Sequence, residues 1–166
     1  DRFGRVVWYH QYDSGITEGG VDAEMTGAGD VLIGGSIASG QAAKAVAADG
    51  TPVWVGPVQP GYFEDGYDHH STTLLSDNTI MSLEASVRDG IRGDRIVRRN
   101  RAGDLLWSWD GWDHWERTTS TTSWTHCNAV EQAGGLIWLS ERNSSDIWKI
   151  NAATGAVIWS LGAGGN

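Results

Sequence analysis

The sequence predicts an all-β protein: a β-propeller segment of about three four-stranded antiparallel blades plus one orphan strand. Three observations predict it. First, a glycine stands four residues before a tryptophan, with an aliphatic residue just ahead of the Trp, in Gly4–Trp8, Gly50–Trp54, Gly103–Trp107 and Gly155–Trp159. Second, those tryptophans step by 46, 53 and 52 residues. A period of about 50 residues suits a blade of four short strands. Third, Trp124–Leu161 holds four short apolar runs, each bounded by Gly, Asn, Ser or Asp. The runs are too short for helices and rich in β-branched and aromatic residues, and their borders are turn formers. One such meander cannot bury both its faces, so it belongs in a repeat.

Taken in order, Asp1–Tyr12 reads as the last strand of a preceding blade, with the orphan strand near Val6–Trp8. The first blade covers 21–56. Its turns are Thr26–Asp30 and Asp49-Gly50, and its second strand is Val31–Gly34. Ser39–Ala48 is Ala-rich, yet the repeat assigns it a third strand rather than a helix. Gly56–Tyr67, with prolines, glycines and aromatics, is an inter-blade loop. The second blade covers 68–110, with strands His70–Leu75, Thr79–Glu84, Arg95–Arg99 and Asp104–Trp107. Ser108–Ser123 is a long connector carrying Trp109, Trp112, His114 and Trp115. The third blade covers 124–162, with strands His126–Val130, Leu136–Ser140, Asp146–Ile150 and Ala156–Trp159. All of 1–166 is thus one partial propeller domain. The repeat glycine supplies a positive φ for the turn into each fourth strand. The repeat Trp is large enough to wedge between blades.

The totals set limits. The chain has 166 residues, 40% of them hydrophobic and 20% charged, as in globular proteins. A formal net charge of −9 argues against a nucleic-acid partner held through phosphates. The arginines of Arg88–Arg101 read as a solvated strand and turn rather than a docking patch. Cys127 is the one cysteine, so no internal disulfide forms. No apolar run reaches the ~20 residues of a membrane helix. The sequence opens at Asp1 within a blade-like pattern, as an excerpt of a longer protein would. Three blades and a fragment do not close a ring, so the rest of the propeller is expected from the same or another chain.

The first strand of each propeller blade lines the central channel. Aligned on second strands, Asp22, His70 and His126 take nearly equivalent places, with offsets of 10 to Leu32, 10 to Ile80 and 11 to Ile137. Residues i and i+2 of a strand share a side, which pairs His126 with Asn128. Arg142 follows the neighbouring strand and brings a planar cation. These side chains donate hydrogen bonds to an anionic oxygen. Each also has a plain structural reading: a backbone hydrogen bond for the histidines, and an ion pair with Glu141 or Asp146 for Arg142. Asp22 would be an acceptor. Asp68-His69-His70 looks like a metal cluster, but adjacent strand residues diverge and no further ligand recurs at zinc spacing, so no metal site is expected. No phosphate-binding glycine loop, dinucleotide fingerprint or Gly-x-Ser-x-Gly elbow is present, and no cofactor is expected.

With those residues assembled, the chain resembles the bacterial arylsulfotransferases that work without a nucleotide sulfate donor. The likeness is strongest from Arg95 to Gly162. It rests on Leu75-Ser-Asp-Asn-Thr-Ile80, on Trp124-Thr-His-Cys-Asn-Ala-Val130 with its His-x-Asn, and on Leu139-Ser-Glu-Arg-Asn143 with its Ser-x-Arg. Ile150–Trp159 is shared more widely among Trp-rich propellers, quinoproteins included. The resemblance implies a six-bladed propeller, found in the periplasm or outside the cell. It implies transfer of a sulfuryl group from an aryl sulfate to a phenol through a transient sulfohistidine. On that pattern His126, Asn128, Arg142 and His70 hold the sulfuryl oxygens, and Trp112 and Trp115 offer an aromatic platform for a phenol ring or pack the connector onto the blades. The family's nucleophilic histidine lies in a later blade, so it is expected outside this sequence. Two other functions fit the pattern: a non-catalytic propeller that binds a partner, and a quinoprotein-like propeller.

Overall fold

Three four-stranded antiparallel sheets follow one another along the chain, each a meander whose strands pair in sequence order. In this computed structural model the described residues are 3, 6, 8, 9, 21–35, 42–58, 60, 64–115 and 122–162. The first sheet is β1 (Val21–Met25), β2 (Val31–Gly35), β3 (Ala42–Val46) and β4 (Pro52–Val58). The second is β5 (Asp68–Leu74), β6 (Ile80–Arg88), β7 (Ile91–Arg99) and β8 (Leu105–Asp110). The third is β9 (Cys127–Ala133), β10 (Leu136–Glu141), β11 (Asp146–Asn151) and β12 (Val157–Leu161). These are propeller blades. The innermost strands β1, β5 and β9 lie beside one another. The Ala-rich segment supplies a strand, as the repeat predicts. Part of the orphan strand expected at Val6–Trp8 lies outside the described residues. Trp8 itself donates its indole N–H to Ala48 O at 2.9 Å.

The repeat is visible in the backbone. Gly50, Gly103 and Gly155 all have positive φ, at 87°, 91° and 72°, which a side chain would strain. Trp54 pairs with Ala45, Trp107 with Arg98 and Trp159 with Lys149, and each blade has a bulge at this same step. The aliphatic residue before each Trp is the extra residue of that bulge. Val53, Leu106 and Ile158 are therefore turned outward and each about half exposed. Trp54 bridges blades by donating to Arg101 O of the second sheet at 2.8 Å.

Blade two departs from the sequence reading. β6 and β7 run on past Glu84 and begin before Arg95, meeting at Asp89-Gly90, whose φ values are 52° and 74°. Asp-Gly with both φ positive makes the two-residue turn that matches strand twist. The arginines of β7 are not a solvated row. Arg92 is buried. Arg95 and Arg99 each give two hydrogen bonds to one oxygen of the buried Glu84, at 2.8–3.1 Å.

Polar clasps join neighbouring blades. Asp22 Oδ2 accepts from Thr72 N at 3.1 Å, and Glu24 accepts from Thr73 Oγ1 and Leu74 N. Between the next two blades, Ser71 Oγ accepts from Val130 N and donates to Val130 O, both at 3.3 Å. Thr72 and Val130 hold the same register in their blades. Asp22 therefore does for the first joint what Ser71 does for the second. It is not the counterpart of His70: the register partner of Ile80 is Val31, not Leu32, and a one-residue slip exchanges faces. The main core lies between blades two and three, with Met81, Leu83, Ile96, Cys127, Val130, Ile137, Leu139 and Ile150 sealed from solvent.

The first joint is tight enough to test. A methyl at Gly34 would run into the Thr72 side chain. Gly34→Ala is expected to lower stability by about 1–3 kcal/mol, the usual range for overpacking. Denaturant unfolding measures it, and an unchanged midpoint would contradict this packing.

Candidate functional site

His70 and His126 meet across the joint between blades two and three. Their Nε2 atoms lie 3.3 Å apart. Each has a left-handed backbone, with φ of 57° and 55°, and for a non-glycine residue that costs roughly 1–3 kcal/mol. His70 sits where β5 bulges between His69, paired with Leu83, and Thr72, paired with Ser82. His126 is the residue just ahead of β9, and its carbonyl accepts from Arg142 N at 3.1 Å. Bulges and left-handed residues redirect side chains, and here they turn two imidazoles toward each other.

Arg142 stands on the turn between β10 and β11 and is exposed. Its Nη1 is 3.3 Å from His126 Nε2. The turn is stitched to the run leading into β9: Asn143 N donates to Thr125 O at 3.2 Å and Asn143 Nδ2 to Ser123 O at 2.8 Å. Asn128 is exposed and is the extra residue of a bulge, since Cys127 pairs with Glu141 and Ala129 with Ser140. The simple i, i+2 alternation of a flat strand therefore does not govern His126 and Asn128. His126 precedes β9 and Asn128 lies within it, two residues on.

Both imidazoles are neutral near pH 7. Burial first, then His69 and His126, pushes His70 down to about 4, against the pull of Asp94. Burial first, then Arg142, lowers His126. Arginine only donates, so His126 Nε2 accepts and its proton is assigned to Nδ1. His70 then donates from Nε2. Two donors share one lone pair, in keeping with two contacts of 3.3 Å. An oxyanion entering this point would collect both donors.

Beneath the pair lies a buried carboxylate that the sequence reading passed over. Asp94 Oδ1 is 2.9 Å from His69 Nε2. Its Oδ2 accepts from Cys127 N at 2.6 Å and from the Thr125 hydroxyl. Gly93, beside it, has no room for a side chain, because a Cβ would lie 2.7 Å from the indole nitrogens of Trp112 and Trp124. A charged residue after a glycine at an inward strand position was the available signal.

The connector is an aromatic cluster. Trp112 caps onto Asp110 through its backbone N–H, donates its indole N–H to Ser86 O at 2.8 Å, and packs 4.9 Å from Trp124. Trp115 meets Trp109, Trp124 and Trp148 edge-on, with centroids 5.1–5.9 Å apart. His114 stacks on Trp109 at 4.4 Å. Both Trp112 and Trp115 keep part of their surface in water. Among the described residues, no three His, Cys, Asp or Glu side chains gather to hold a metal ion. No helix among them is long and apolar enough to cross a membrane.

One similar solved structure is a crystal structure described as a protein of unknown function from Bacteroides caccae. It is 18% identical, with a TM-score of 0.52, and the match covers 87% of this chain and 47% of that one. The chain thus spans about half the length of that structure, and the likeness speaks for the fold. No curated protein matches the sequence. The family model described as Arylsulfotransferase (ASST) matches residues 1–166. The chain belongs to the arylsulfotransferase family.

Proposed function

We propose that the protein transfers a sulfuryl group from an aryl sulfate to a phenolic acceptor, and that these residues supply part of the channel that holds the sulfuryl oxygens. The observation that carries the reading is the convergence of His70 and His126, 3.3 Å apart, with Arg142 beside them. Both histidines hold a left-handed backbone that costs stability, which supports a functional placement.

Arg142 and the His70 N–H take the sulfuryl oxygens, with the Asn128 carboxamide added at the lip. Trp112 and Trp115 stack on the ring. A nucleophilic histidine from outside these residues attacks sulfur: the N–S bond forms, the S–O(aryl) bond breaks, and the phenolate leaves. The acceptor phenol, passing its proton to the released phenolate or to water, then attacks sulfur, and the N–S bond breaks to free the histidine. Such transfer needs positioning and charge stabilisation above all. The protein is placed in the periplasm or outside the cell by the same reading.

Proton linkage tests the site. His70 is neutral until about pH 4 when the site is empty. A bound anion favours imidazolium and so raises that value. Between the two values binding takes up a proton, and affinity strengthens as pH falls. The charged and titratable groups that face it are Arg142, Arg92, His69 and Asp94, with Glu141 next to Arg142. Burial pushes the Glu141 carboxyl up to about 7, so its neutralisation works in the same direction. Calorimetry with 4-nitrophenyl sulfate should show Kd falling up to about tenfold per pH unit from 7 toward 4, with the steep part lost in His70→Asn. A Kd independent of pH would sink the assignment. Binding without release of nitrophenol, in the full-length protein with a phenol acceptor, would mark a binding propeller instead of a transferase.

A further inference from the structure

We infer that Asp94 is the positioning residue of this site, one buried carboxylate that sets both His70 and His126 from behind. The inference rests on the functional reading only for what the two histidines bind.

Asp94 sits on β7, between the two segments that carry the histidines. Toward blade three it takes hydrogen bonds from the Thr125 hydroxyl and from Cys127 N, at 2.6 Å for the latter. Those are the residues on either side of His126. Toward blade two its other oxygen is 2.9 Å from His69 Nε2. His69 is the residue before His70, and the two rings meet edge-on at 5.3 Å. His69, Asp94, Thr125 and Cys127 are all within 2% of complete burial. A backbone held on both flanks can be kept left-handed at the residue between, as His126 is. One side chain thus holds both flanks of His126 by hydrogen bonds and lies against the residue before His70, where it can set the spacing of the two imidazoles. β7 also anchors the approach: Trp124 N donates to Arg92 O at 3.0 Å.

Charge supports the geometry. Burial alone would raise the Asp94 carboxyl, but His69 and the hydrogen bonds from Thr125 and Cys127 outweigh it and hold the group ionised. The carboxylate also favours imidazolium at His70 and His126, opposing Arg92 and Arg142. Lying behind the rings, it assists proton uptake when an anion arrives in front.

The test reads the imidazoles directly, by nuclear magnetic resonance of labelled histidine in the protein, with exposed His114 as internal control. Asp94→Ala should displace the His70 and His126 signals, leave His114 in place, and weaken 4-nitrophenyl sulfate binding tenfold or more. Asp94→Asn should stay closer to wild type, because its amide oxygen still accepts from Thr125 and Cys127. Where Asp94→Ala is too unstable to study, Thr125→Val serves. It should move His126 further than His70, whose ring feels the change only through its contact with His126, a graded response that general loosening would not give. Unmoved His70 and His126 signals in Asp94→Ala, or His70 moving further than His126 in Thr125→Val, would overturn the inference. Displaced signals in a protein that binds no aryl sulfate even as wild type would uphold the positioning role and remove the sulfuryl reading instead.

Discussion

Arg142→Ala in the full-length protein is expected to cut sulfuryl transfer by about 10²–10³-fold while leaving the fold intact. One donor aimed at developing oxyanion charge is typically worth that much. The fold should survive because the Arg142 side chain is exposed and, among the described residues, its close side-chain partner is His126. An exposed residue of this kind shifts stability by roughly 0.5 kcal/mol or less. His126→Ala should have a similar effect, because it removes the atom on which Arg142 and His70 converge. Arg142→Lys should not restore activity, since the planar fork is lost. Turnover of an aryl sulfate with a phenol acceptor is the measurement, with thermal unfolding as the control. Wild-type turnover in His126→Ala would return both residues to a purely structural part.

Glu84→Ala should be among the most damaging substitutions for stability. The Glu84 side chain is 3% exposed and receives four hydrogen bonds from two arginines that are 23% and 25% exposed. Removing the carboxylate leaves two guanidinium groups facing each other with no anion between. Breaking a fully buried pair costs about 3–5 kcal/mol. The arginines keep some access to water, so about 2–3 kcal/mol is expected here. For a chain of this size that lowers Tm by roughly 5–10 °C. Glu84→Gln should fall between, since the amide oxygen still accepts from one arginine. A change in Tm under 1 °C on Glu84→Ala would show that the arginines find other partners.

The sequence was informative where a rule acts locally. The Gly-to-Trp spacing located Gly50, Gly103 and Gly155, and all three have the positive φ a turn requires. It also placed Trp54, Trp107 and Trp159 at one register. The Ala-rich third strand was legible only because the repeat outweighed its composition. Register was harder. Counting from Leu32 instead of Val31 moved Asp22 from a blade clasp to the channel, because period-two side chains exchange faces with every slip. Asp89-Gly90 is a strong local turn signal, and reading it would have extended β6 and β7 to their observed lengths. Counting along regular strands gives His70 and His126 one register, but His70 lies in the bulge after His69, the partner of Leu83, and His126 lies beyond Cys127, the partner of Glu141, so the two are not equivalent; what turns them together is irregularity, two left-handed residues beside two bulges. Asp94 was hard to read for a different reason: its local signal, a carboxylate after Gly93, names no partner. Its partners stand 25 to 33 residues away on both sides in sequence, and only the packing of three strands brings them to one carboxylate.

The bulge shared by the three blades has a consequence for how such chains coexist at high concentration. β4, β8 and β12 are the far edges of their sheets, and a straight strand edge carries a ladder of open amides and carbonyls that can recruit another copy. Val53, Leu106 and Ile158 would make that edge stickier, being aliphatic and half exposed. The extra residue interrupts the ladder at the very place the aliphatic side chain sits, and adds twist that a flat partner strand does not match. Because the bulge lies within the Gly-to-Trp unit, any duplication that copies the tryptophan copies the protection with it. A repeat that lengthened by duplication would therefore not accumulate adhesive borders as it grew.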